Sequence, residues 1–108
     1  MKFKYKLWLD KDGKVFGDGP LDLLRRIERT GSLRSAAAEI NMSYSQAWNL
    51  FKSLEKRLGF KLLTKKIGGE SGGGSELTRE AKLLMKRYEN FRERADKALN
   101  AIFEDVFG

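Results

Sequence analysis

Apolar and polar positions alternate from Lys2 to Leu9, with lysines at 2, 4 and 6 set against Phe3, Tyr5, Leu7 and Leu9. A period of two with aromatic residues predicts a strand with one buried face. Asp12-Gly13 is a tight-turn dipeptide and Lys14-Val15-Phe16 resumes the pattern, so residues 3–16 are expected to form a hairpin. From Pro20 the period lengthens. Leu21, Leu24 and Ile27 mark a first helix to about Arg29, with Pro20 at its start, where a missing N–H is tolerated. Gly31 is placed to end that helix and Ser32 to cap the next. Ala36, Ala37 and Ala38 keep the second helix narrow where another must cross it closely. After a turn at Asn41-Met42, Ser43 and Gln46 have the spacing of a capping box. Ala47, Leu50, Phe51, Leu54 and Leu58 then recur at steps of three and four, the buried stripe of a third helix that ends at Gly59. Phe60 is expected to fold back into the core. Leu62 to Ile67 reads as a strand, Gly68 to Gly74 as a turn and Ser75 to Leu77 as a return strand, with Thr78 capping a final helix to about Val106.

The outer face of the third helix differs sharply from its buried stripe. Ser45, Asn49, Lys52 and Lys56 recur along it, giving donors and cations with no carboxylate among them. Such a face can enter a major groove, meeting base edges at its start and phosphates along its length. The short helix, turn, second face-bearing helix and following hairpin together make a winged helix-turn-helix. The expected fold class is therefore α+β, mostly α, with an N-terminal β-hairpin and a long C-terminal dimerisation helix. Residues 1–78 would form the DNA-binding domain and residues 79–108 the linker and dimerisation helix.

Charge sharpens this picture. Lys and Arg number 22 against 15 acids, a formal charge of +7. Much of the excess is local: residues 32–66 carry seven basic and two acidic residues, residues 79–108 seven and six. A basic patch on one segment is the electrostatic footprint of a nucleic-acid binder, although a solubilising lysine-rich surface would give the same total. The chain has no Cys and no His, which removes disulfides, thiolate chemistry and imidazole metal sites. The carboxylates fall on solvated helical faces, where Glu89, Glu93 and Asp96 pair with nearby Arg and Lys. No enzyme, no metal and no cofactor is expected. A glycine-rich loop before a helix could cradle phosphate, but no Lys follows these glycines as a P-loop requires. No run of about 18 apolar residues would span a membrane, and the N-terminus lacks a signal-peptide core, so the expected location is cytoplasmic.

The final helix carries a second pattern. Ala81, Tyr88, Ala95 and Ile102 lie seven apart, with Leu84, Phe91 and Ala98 interleaved, and the seam later shifts toward Leu99, Phe103 and Val106. A terminal helix this long exceeds what so small a domain can cover. Its first two turns are expected to close the domain and the remainder to pair with a second copy. The residues assigned to dimerisation are Leu84, Tyr88, Phe91, Ala95, Ala98, Leu99, Ile102 and Phe103.

Three strings carry a resemblance. They are Gly31-Ser32-Leu33 with the alanines after it, Met42-Ser43-Tyr44 with Ala47-Trp48, and Gly68-Gly69-Glu70-Ser71-Gly72-Gly73-Gly74 ending in Leu77-Thr78. The first two fit many LysR-like proteins; the third is more specific. On these the chain resembles the N-terminal DNA-binding domain of the molybdate-responsive ModE regulators, relatives of the LysR-type winged helices. The resemblance covers nearly the whole chain. It departs at Glu70 and Ser71, where the family usually has a basic residue or glycine, and in lacking the family's molybdate-binding domains, so molybdate sensing is carried over to no residue.

The resulting expectation is a transcriptional regulator that reads double-stranded DNA as a homodimer, with no small-molecule effector bound by this chain alone. The alternative is a protein-interaction module that recruits a separate effector-binding protein through its C-terminal helix. The residues assigned to DNA are Ser32, Arg34, Ser43, Tyr44, Ser45, Gln46, Asn49, Lys52, Lys56, Lys65 and Lys66. Ser45, Gln46 and Asn49 would meet base edges, with Tyr44 left open and Gln46 also a candidate for the helix cap. Arg34, Lys52, Lys56, Lys65 and Lys66 would meet phosphates. Trp48, flanking the buried stripe, is assigned to packing.

Overall fold

A computed structural model describes residues 1–66 and 74–108. The expected turn over Gly68–Gly73, with Ile67, lies outside the described residues. The elements run β1 (Trp8–Asp10), β2 (Lys14–Gly17), α1 (Asp18–Thr30), α2 (Leu33–Glu39), α3 (Tyr44–Leu58), β3 (Leu63–Lys66), β4 (Gly74–Leu77) and α4 (Arg79–Phe107). Among the described residues this is a mostly helical α+β winged helix-turn-helix with two antiparallel two-stranded sheets, the N-terminal hairpin and the wing, and a long last helix.

Local chemistry fixes most of the boundaries. Gly31 ends α1 with φ of 76°, a left-handed conformation in which its N–H reaches the Ile27 carbonyl. Ser32 caps α2, its hydroxyl accepting from the Ser35 N–H at 3.1 Å. Ser43 and Gln46 complete a reciprocal capping box on α3, at 3.1 and 3.0 Å. Thr78 caps α4 by accepting from the Ala81 N–H at 3.0 Å. Pro20 sits in the third helical position rather than at the start of α1. It is tolerated there because the first four N–H groups of a helix have no intrahelical partner.

The N-terminal hairpin is shorter than the alternation suggests. β1 pairs with β2 only from Trp8↔Gly17 to Asp10↔Lys14. Asp18 already belongs to α1, so Leu7 and the residues before it have no strand to pair with. They nevertheless keep the alternation, Phe3, Tyr5 and Leu7 half-buried and Lys2, Lys4 and Lys6 exposed. The half-buried side chains lie along α4: the Phe3 ring is 5.0 Å from that of Phe103, and the Tyr5 hydroxyl donates to Asp96 at 2.8 Å.

One core joins the elements, built from Phe16 of β2, Leu23, Leu24 and Ile27 of α1, Ala36 and Ala37 of α2, and Ala47, Phe51 and Leu54 of α3. Leu62, Leu77, Ala81, Met85 and Tyr88 close it. The two fully buried alanines of α2 allow the close helix crossing that the sequence implies. Tyr88, assigned above to a seam between chains, is 1% exposed and belongs to this core instead. Its ring meets Phe16 edge-on at 5.3 Å, and its hydroxyl donates to Asp18 at 2.7 Å, with the Leu7 carbonyl oxygen at 3.2 Å. Phe103, half-buried, has ring partners within the chain in Phe3 and Phe107.

The α1–α2 corner is fastened by charge. Glu39 at the end of α2 accepts from Arg26 at 2.9 Å and also from Arg29. Those two hydrogen bonds, Arg29 first, hold the Glu39 carboxyl below the usual carboxylate range. A group whose pKa is depressed by folding contributes stability above its unfolded pKa and loses it as pH falls through the folded value. In a carbon-13 pH titration, Glu39 should therefore have a midpoint below that of an ordinary glutamate. A midpoint at the ordinary value would mean that the two guanidinium groups do not hold it.

Candidate nucleic-acid interface

α3 sits at the centre of the surface that the sequence singles out. Its apolar stripe points into the core, which turns Ser45, Asn49, Lys52, Ser53 and Lys56 outward, all exposed. On one flank the wing rises. β3 and β4 pair in register from Leu63↔Leu77 to Lys66↔Gly74. The wing is docked to the body by the Ser75 N–H, which donates to the Gly31 carbonyl at 2.9 Å. Gly74 makes this approach possible, because a Cβ there would come within 2.8 Å of the same oxygen.

Between α3, the start of α2 and the wing lies an open cleft. Ser32, Arg34, Tyr44, Lys52, Lys65 and Lys66, six of the residues assigned to DNA, line it, together with Trp48, Lys61 and Ser75. Ser45, Asn49 and Lys56 stand outside it, on the crest of the helix. Ser43 and Gln46 are placed at the helix start, and both spend an acceptor on the cap, which leaves the Gln46 carboxamide nitrogen for any outward contact.

Trp48 is placed otherwise than the sequence reading assigned it. It is 42% exposed, outside the core, and stacks on Tyr44 with ring centroids 6.1 Å apart and planes 28° from parallel. The Arg34 guanidinium lies 4.5 Å above the Tyr44 ring and the Lys52 ammonium 4.4 Å from the Trp48 ring. Residues 44, 48 and 52 are four apart, so one helix face carries all three. That spacing was the available signal. Lys61 was missed because it belongs to no periodic pattern.

Two carboxylates fall within this basic segment, and both are occupied. Glu39 is held by Arg26 and Arg29. Glu55 has one oxygen 3.4 Å from the Lys52 ammonium, and the other accepts from the Leu62 and Leu63 N–H groups at 2.7 and 3.3 Å. Glu55 thus fixes where β3 leaves the helix. Among the described residues, Arg34, Lys56, Lys61, Lys65 and Lys66 have no carboxylate partner. The surface is a set of unneutralised cations around a hydrogen-bonding helix crest, chemistry suited to a polyanion. No helix among the described residues is long and apolar enough to cross a membrane.

Comparison with known proteins gives a consistent result. Residues 20–82, from the start of α1 to the first turn of α4, match the family described as bacterial regulatory helix-turn-helix protein, lysR family. The chain is 35% identical over 80 residues to the molybdenum-pterin-binding protein MopB of Rhodobacter capsulatus, covering 74% of this chain and 30% of that protein. It is 30% identical over 104 residues to the molybdenum transport protein ModE of Azotobacter vinelandii, covering 95% of this chain and 38% of that one. The chain thus spans roughly a third of the length of these relatives. Among solved structures, that of a CbnR DNA-binding domain in complex with DNA superposes with a TM-score of 0.58 at 20% identity, over 80% of this chain and 93% of that one.

Proposed function

The chain belongs to the LysR family of bacterial regulatory helix-turn-helix proteins, and from that premise we propose that it is a transcriptional regulator binding double-stranded DNA as a homodimer. The observation that carries this reading is the outward face of α3. Ser45 and Asn49 stand exposed on its crest with Lys56 behind them, and the cations of the wing strand lie alongside. In a major groove, Asn49 is suited to bidentate recognition of adenine, with Ser45 beside it. Lys56, Lys65, Lys66 and Arg34 then meet phosphates, which position the helix without reading sequence. Ser32 and Ser43 keep their hydroxyl hydrogens free to donate to phosphate while their oxygens cap the helices.

The family match covers the helix-turn-helix and the flanks of the wing, while most of α4 lies beyond it. That favours DNA, rather than a protein recruited by α4, as the primary partner. Molybdenum belongs to the relatives' names and is not carried to this chain. The homodimer rests on the second apolar stripe of α4, where Phe91 is 49% and Ile102 57% exposed.

Duplexes selected by the protein from a random pool provide the test. Lys56→Ala should weaken binding to every sequence and reduce the salt dependence of log K by about one unit. Asn49→Ala should relax preference at one base position, at about 1–3 kcal/mol. Affinity independent of salt in the unsubstituted protein, or unchanged by both substitutions, would refute this docking face.

A further inference from the structure

We propose that Trp48 is a positioning residue that holds the Lys52 ammonium ready for a DNA phosphate, a proposal that rests on the DNA-binding reading above. Four side chains form one ladder: Arg34 from α2, then Tyr44, Trp48 and Lys52 along α3, with steps of 4.5, 6.1 and 4.4 Å. The two rings stack on each other, and each also carries a cation, Arg34 over Tyr44 and Lys52 over Trp48. The aromatic pair thus serves the cations. A lysine on a helix surface otherwise samples many rotamers, and fixing it on binding opposes association. Here the indole face holds the ammonium beforehand, and the Glu55 carboxylate at 3.4 Å helps to hold it. Glu55 also binds the root of β3, so the same line of contacts reaches from α2 across the helix to the wing.

Trp48 lies outside the core, so its substitution should leave the fold intact, which separates positioning from packing. The test is a double-substitution cycle with the full chain and a fluorescent random-sequence duplex of about three helical turns, at fixed salt. Trp48→Leu keeps bulk and removes the aromatic face. It should weaken binding about two- to five-fold, the size of one exposed cation–π contact. In a Lys52→Ala background the same change should weaken binding less than about 1.5-fold, because its effect passes through Lys52. Trp48→Phe should recover most of the loss. Equal effects in the two backgrounds, or Phe no better than Leu, would overturn the positioning role. Wild-type binding with no salt dependence would overturn the DNA reading and the ladder with it, whereas salt-steep wild-type binding that Trp48→Leu leaves unchanged would overturn the ladder alone.

Discussion

Phe91→Asp should convert the proposed dimer to chains of 12.4 kDa, with affinity for an inverted-repeat site reduced by orders of magnitude and affinity for a half-site nearly unchanged. The reason lies in how α4 divides its apolar residues. Ala81, Met85 and Tyr88 are buried in the core, and Phe103 packs on Phe3. A neighbouring line, through Leu84, Phe91, Ala95, Ala98 and Ile102, has the seven-residue spacing of a helix pair. Phe91 and Ile102 on that line are about half exposed or more. Full burial of such a side chain contributes about 1.5–3 kcal/mol, and a two-fold axis counts each twice. An aspartate at 91 removes the contribution and sets an unpaired carboxylate from each protomer near the other, at a further several kcal/mol. Ile102→Asp should act alike. Analytical ultracentrifugation decides: a wild-type mass of one chain at tens of micromolar would rule out the dimer.

Tyr88→Ala should lower stability by about 3–5 kcal/mol, the range for emptying a fully buried aromatic site. In a domain whose total stability is about 5–15 kcal/mol, this corresponds to a fall in Tm of roughly 12–30 °C. Tyr88 sits where β2, the N-terminal segment and α4 meet, edge-on to Phe16 and bonded to Asp18. Tyr88→Phe should lose only about 1 kcal/mol, since the ring contacts remain and Arg92 keeps a partner for Asp18. Burial, then the Asp18 hydrogen bond, raises the Tyr88 hydroxyl pKa. A raised folded pKa contributes stability below the unfolded value, near 10, and loses it as pH rises, so the wild type should destabilise in alkali more steeply than Tyr88→Phe. Thermal melts of the three proteins across pH check both statements; equal melting temperatures for wild type and Tyr88→Ala would contradict the packing described.

The parts legible in the sequence are those governed by near neighbours. Ser32, Ser43 with Gln46, Gly31, Gly59 and Thr78 mark helix ends because caps act within about four residues. The fold class followed from their order. What was not legible depends on contacts between distant segments. Trp48 lies at the margin of the α3 apolar arc, and only the position of the wing decides that this margin is open. Tyr88 has the right spacing for two stripes, and the nearness of Phe16 and Asp18 assigns it to the inner one. Residues 3–7 carry a strand's alternation, yet β2 ends at Gly17, the partner of Trp8, and the chain that would receive them is already helix. Glu55 belongs to neither the buried stripe nor the cationic one, while its second oxygen serves the Leu62 and Leu63 N–H groups seven and eight residues away.

Thr78 ties the wing to the last helix. Its hydroxyl both caps α4 and donates to the Lys61 carbonyl at 2.6 Å, and its N–H donates to the Leu62 carbonyl at 2.9 Å. The root of the wing and the start of the 29-residue α4 are therefore joined at one residue. At about 1.5 Å per residue the helix extends roughly 43 Å, and its contacts through Tyr88, Asp96 and Phe103 hold it to the body well beyond that first turn. If two copies pair through α4 as proposed, the wing and the pairing helix would move as one body, and the spacing of two half-sites would be fixed rather than adjustable.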